Sequence, residues 1–177
     1  MFRHPAEVRA IAEAYIGNRG RITGEPGSGT DGWVFSLEPH SVVKVHRVRR
    51  TYAKELEAYQ RLDRENVIKI ANCNVPVLRH FDEERLIIEM SFVTPPFVID
   101  FGKCYFDDPM DFEEDRWFRW ERKLEALYGS NAGWAMRVHR HLREKYGIYH
   151  DDVRPANIDL GPTPEEEADP LDEDLYF

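Results

Sequence analysis

Sulfur, net positive charge and long apolar runs are all scarce in this chain, and each shortage closes off a class of function. Two cysteines occur among 177 residues, Cys73 and Cys104; they fit no zinc-ligand spacing and make no disulfide framework by themselves. A generic nucleic-acid binder carries a basic surplus, whereas this chain has a formal net charge of −9, so no nucleic-acid partner is expected. No apolar run approaches the roughly 20 residues of a membrane-spanning helix, and the N-terminus has no signal-like segment. The expectation is a cytoplasmic protein with no membrane partner.

What is present supports a real core, with 42% hydrophobic and 12% aromatic residues. The length suits one ordinary domain or two small lobes sharing a cleft. The acidity is concentrated at one end. Residues 161–177 hold seven carboxylates and no Lys or Arg, leaving the rest of the chain nearly balanced.

Periodicity changes along the chain. Residues 5–16 read as a helix, with Pro5 near its start, Val8, Ile11, Ala12 and Tyr15 on one face, and Gly17 after its end. Short strands are expected at residues 21–23, 33–37, 42–48, 75–79 and 85–90, with one helix opening at Thr51 among them. Thr94-Pro95-Pro96 marks a boundary. Beyond it, one helix should run from after Asp111 to about Tyr128, and another from an Asn131 cap to Gly147, followed by a short strand at 147–149. A β-rich lobe (residues 1–93) thus precedes a mainly helical one (94–162) and an acidic tail (163–177).

Three segments carry candidate chemistry. In Gly27-Ser28-Gly29-Thr30-Asp31-Gly32 the glycines could open a helix or form a strand–turn–strand cover over phosphates. Trp33-Val34-Phe35-Ser36-Leu37 follows, which is strand-like, and no Gly-Lys-Ser/Thr follows, so the dinucleotide and P-loop readings fail. In Ser41-Val42-Val43-Lys44-Val45, alternation sends Lys44 to the face opposite Val43 and Val45. Glu55, offset from the Leu56/Tyr59/Leu62 face of its helix, could pair with Lys44, and Glu57 is its rival. In His150-Asp151-Asp152-Val153-Arg154-Pro155-Ala156-Asn157, Asp152 would accept a hydroxyl proton and Asn157 would ligate Mg2+ through its amide oxygen. Asp151, Asp152 and His150 also have plainer readings as turn and core residues. His139 and His141, two apart on a helix, diverge too far for one metal and read as a surface and a core residue respectively.

In this order the segments resemble the protein-kinase-like superfamily, in particular its small, divergent bacterial branches. The resemblance covers about residues 20–160. It rests on the glycine loop (Gly27, Ser28, Gly29, Gly32, Val34), the Lys44 strand, the Glu55 helix, the Glu89-Met90 strand entering an interlobe connector, and His150-x-Asp152-x-x-x-x-Asn157. It implies an α+β fold, a minimal two-lobed kinase-like architecture with an antiparallel sheet lobe and a truncated, mainly helical lobe. It also implies ATP and Mg2+ as cofactors: Lys44, held by Glu55, on the phosphates, Asp152 as base and Asn157 on the metal.

One part is expected to be missing. The superfamily presents a metal-binding Asp-Phe-Gly after a hairpin that follows the asparagine, and here Asp159-Leu160-Gly161 comes too soon after Asn157 for that hairpin. Asp159 is nevertheless the candidate second metal ligand, two residues on from Asn157 along an extended chain. Two functions follow from the resemblance: a phosphotransferase acting on a hydroxyl, or a catalytically inactive pseudokinase that binds a nucleotide or a protein partner. The tail is expected to dock through Leu175, Tyr176 and Phe177, bringing Asp172 or Asp174 toward the cleft.

Overall fold

The computed structural model describes residues 4–107 and 114–161, and the expectations for residues 163–177 lie outside them. Helix α1 (Pro5–Ile16) starts where its residues favour a start: Pro5 needs no N–H partner in the first turn, and His4 and Glu7 close a capping box. Val8, Ala12 and Ile16, four apart, form its buried stripe. That stripe covers one face of a sheet, where Trp33, Phe35, Leu37, Val43, Val45 and Ile87 complete an apolar cluster.

The sheet begins with β1 (Ile22–Ser28), β2 (Gly32–Leu37) and β3 (Ser41–His46), each antiparallel to the next. The glycine run is therefore a hairpin, closed by the Gly29 amide donating to the Gly32 carbonyl at 2.9 Å. Helix α2 (Arg49–Arg64) follows, opening two residues before Thr51, whose hydroxyl donates to the Val48 carbonyl within the first turn. Short strands β4 (Lys69–Ile70) and β5 (Cys73–Asn74) precede β6 (Leu78–Asp82) and β7 (Ile87–Ser91). The strand expected at 75–79 is displaced because Pro76 has no N–H for a ladder. In the finished five-stranded sheet the order is β1-β2-β3-β7-β6.

The chain then leaves the sheet through a connector to β8 (Phe97–Val98) and β9 (Tyr105–Phe106). Helices α3 (Glu114–Tyr128) and α4 (Ala132–Tyr146) come next, and α4 ends on Gly147 in the left-handed conformation that glycine adopts without penalty. Strands β10 (Ile148–Tyr149) and β11 (Ile158–Asp159) flank the His150–Asn157 segment. They return to strands made much earlier, β10 pairing with β9 and β11 with β8. The architecture is thus α+β, an antiparallel sheet lobe followed by a mainly helical region. Helix α2 is shared by both parts: Tyr59 and Leu62 lie in one continuous core with Phe101, Leu124, Leu142 and Ile158. No helix among the described residues is long and apolar enough to cross a membrane.

Candidate functional site

Alternation along β3 puts Val43 and Val45 under α1 and Lys44 on the opposite face, beneath α2. Lys44 is only 6% exposed there, so its ammonium must find partners. It donates to Glu55 Oε2 at 2.6 Å and to Asp100 Oδ1 at 2.7 Å. Glu55 also contacts His46 Nε2 at 2.9 Å, while its rival Glu57 pairs with Arg61 along the helix. Burial alone would lower the Lys44 pKa, but Glu55 and Asp100 hold it above the ordinary lysine value. Burial likewise would raise that of Glu55, and Lys44 with His46 outweighs it, bringing the carboxyl down to about 2. Both groups are ionised at neutral pH.

Asp100 was not among the expected site residues, and it corrects the expectation of a missing motif. Asp100-Phe101-Gly102 is an Asp-Phe-Gly, placed 50 residues ahead of Asp152-containing residues 150–157 rather than after them. The signal stands in the sequence itself, ahead of the helices rather than behind Asn157. The fold brings this segment against residues 150–157 despite their separation in the chain. Phe101 packs edge-on against Tyr59 and His150, with ring centroids 5.2 and 5.3 Å apart, and His150 Nε2 lies 3.1 Å from the Ile99 carbonyl. Gly102 passes close under α2, where an added Cβ would stand 3.4 Å from Glu55 Oε2.

Asn157 sits in a turn, held by its amide donating to the Arg154 carbonyl at 2.8 Å, and its carbonyl accepts from the Ile99 amide at 2.8 Å. Its Nδ2 donates to the Asp152 carbonyl at 2.9 Å, which leaves Oδ1 as the side chain's acceptor atom. Because Asn157 is in a turn, the same-side rule for extended chains does not reach Asp159. That carboxylate accepts from the Gly161 amide at 2.8 Å and does not line the cleft that contains Asn157. Asp100, not Asp159, is the second carboxylate near the lysine.

These residues surround one cleft of about 730 Å3 between the sheet and the 150–157 segment. Gly27, Ser28, Gly29, Gly32 and Val34 line its roof, Met90 its connector side, and Lys44, Glu55, Asp100 and Asn157 its polar end. Glu89 does not join them. Its side chain is on the α1 face, accepting from Tyr15, Arg19 and Ser41 at 3.0–3.3 Å. Asp152 also stands outside the lining. Arg154 grips it side-on at 2.7 and 2.8 Å, and Lys103 donates to Oδ2 at 2.7 Å. Burial pushes that carboxyl up, yet Lys103 and Arg154 hold it below the usual aspartate value.

His139 and His141 take other places than expected. His139 stacks edge-on between Trp120 (4.6 Å) and His150 (5.9 Å), with its Nε2 enclosed, while His141 is half-buried against its own helix. Among the described residues no group of three or more His, Cys, Asp or Glu side chains could hold a metal without outside ligands.

No protein-family model matches the sequence, and no curated protein matches it. Among solved structures it is similar to the streptomycin–ATP–APH(2")-IIa ternary complex, with 21% identity, 78% of this chain and 41% of that chain covered, and a TM-score of 0.37. It is also similar to the ADP-bound aminoglycoside phosphotransferase APH(2'')-Ib (20% identity, 77% and 40% covered, TM-score 0.38). The gentamicin–APH(2")-IIa complex is a third (19% identity, 79% and 41% covered, TM-score 0.39). The chain spans about two fifths of the length of these solved chains. What the cleft can do follows from its own side chains.

Proposed function

We propose that the cleft binds a nucleoside triphosphate with Mg2+ and passes its terminal phosphate to a hydroxyl acceptor. The observation that carries this reading is that Lys44, Asp100 and Asn157, from three separate segments, line one cleft together with the glycine hairpin, apolar side chains such as Val34, Val42 and Met90, and the charged Asp31 and Arg154. Lys44 is held ionised and aimed by two carboxylates, as a lysine must be to meet phosphate oxygens. The open backbone at Gly27 and Gly29, where an added Cβ would meet nothing within 4 Å, leaves room for phosphates to approach the hairpin.

The donor set fits Mg2+. The Asp100 carboxylate and the Asn157 amide oxygen are hard oxygen ligands, and Mg2+ takes only one or two protein ligands when phosphates and waters fill the rest. Bound there, the ion would neutralise charge on the transferring phosphate. Asp152 would accept the hydroxyl proton, and Lys44, steadied by Glu55, would orient the phosphates.

Calorimetric titration with ATP, with and without Mg2+, tests the reading. Binding strengthened by Mg2+ in the wild type, with that gain abolished in Asp100→Asn, supports it. Binding indifferent to Mg2+, or none, overturns it. A second reading, a nucleotide-binding pseudokinase, has one observation in its favour: both carboxylate oxygens of Asp152 are engaged by cations. Phosphate release from bound ATP in a single turnover, lost in Asp152→Asn, separates the two.

A further inference from the structure

Four charged side chains form a run of contacts beside the cleft: Asp31, which lines it from the glycine hairpin, then Lys103 just past Gly102, Asp152, and Arg154, which lines it again. Lys103 Nζ is 2.7 Å from Asp152 Oδ2 and 3.9 Å from Asp31 Oδ2. The two cations on Asp152 are held differently. Arg154 makes a two-pronged pair with a carboxylate two residues away, a local geometry that closes on itself. Lys103 makes a single contact from the end of a flexible stem, and its side chain is 44% exposed.

We propose that Lys103 is the switch between the empty and the charged cleft: it holds Asp152 when no nucleotide is present and moves to the terminal phosphate when ATP binds. This rests on the nucleotide reading and names a residue that reading does not use. Lys44 is buried and shared between Glu55 and Asp100, whereas Lys103, from the segment after Gly102, reaches toward Asp31 in the hairpin that roofs the cleft. A terminal phosphate outcompetes a single carboxylate for an ammonium because it offers more charge and three acceptor oxygens. The move takes the Lys103 ammonium off Asp152 Oδ2, so that oxygen is uncovered only when there is a phosphate to transfer. The hydroxyl proton then passes to Asp152 as the new P–O bond forms and the terminal P–O bond of ATP breaks, releasing ADP.

The test is calorimetric titration of ATP and ADP, with Mg2+, into the wild type, Lys103→Gln and Lys103→Arg. ATP affinity should fall on the order of tenfold in Lys103→Gln while ADP affinity stays within about twofold, since only ATP brings the terminal phosphate. Lys103→Arg, which keeps the charge, should lie closer to the wild type. Equal losses for both nucleotides, as a structural role would give, or no loss for either, overturn the switch and leave nucleotide binding intact. A wild type that binds neither nucleotide overturns the nucleotide reading and the switch together.

Discussion

Lys44 and Asp100 are 56 positions apart in the chain, yet their side chains meet at 2.7 Å in a site that also holds Glu55. The contact joins the sheet lobe to the segment that leaves it. It also changes what a lysine substitution would report, because Lys44 is buried between two carboxylates.

Lys44→Met should therefore do two things. ATP affinity should fall roughly ten- to a hundredfold through loss of a charge-assisted contact. Stability should fall as well, by about 3–5 kcal/mol, because Glu55 is left buried without its lysine. Denaturant unfolding separates the second effect from the first, and an unchanged midpoint would show that the ion pairs contribute nothing net.

Glycine is needed at Gly32 for a reason unrelated to phosphates. An added Cβ there would collide with the Val45 carbonyl across the β2–β3 ladder. Gly32→Ala should destabilise by about 1–3 kcal/mol, the range for overpacking. Gly29→Ala, facing open space, should keep its stability and instead weaken ATP binding. Equal stability in the two variants would argue against this division.

Glu55 sets an acid limit. Its folded pKa of about 2 is depressed below the ordinary value of 4.5, so the unfolded chain takes up the proton first as pH falls. The stabilisation is complete above that ordinary value and is lost as pH falls through the folded one. Glu55→Gln should be less stable than the wild type at pH 7, with the gap narrowing steadily toward pH 2. Parallel stability curves for the two proteins would contradict it.

His139, whose Nε2 is shut off from solvent, makes a transition at higher pH. Burial, followed by His150 and Arg143, keeps its pKa well below the ordinary 6.5. Here too the unfolded chain binds protons first, so stability should start to fall as pH drops below that value. His139→Phe, which keeps a ring beside Trp120, should flatten the curve of thermal midpoint between about pH 6.5 and 5.

Local chemistry made the sheet lobe legible. Pro5 and Gly17 bracket α1, alternation in β3 separated Lys44 from its valines, and the face of α2 chose Glu55 over Glu57. What escaped was order. A motif expected behind Asn157 lies ahead of the helices, and it is tertiary contact, the pairings of β8 with β11 and β9 with β10 and the Lys44–Asp100 ion pair, that brings it to the same cleft. Two-residue strands pairing over such separations leave no periodicity to read. Asp159 failed for a related reason, since the turn at Asn157 breaks the extended geometry on which its candidacy rested. Glu89 failed because strand alternation puts its side chain under α1, on the face away from Met90.

The pairing of Val98 with Ile158 also sets a timetable for synthesis. Lys44, Glu55 and Asp100 all leave the ribosome before the first residue of α3, whereas His150, Asp152 and Asn157 follow after both helices. The nascent sheet lobe carries its ionic cluster with it, while β8 has only β5 beside it and β9 has no strand partner until the chain returns. Closing that long loop is entropically costly, so the cleft acquires its floor only after both helices have been made.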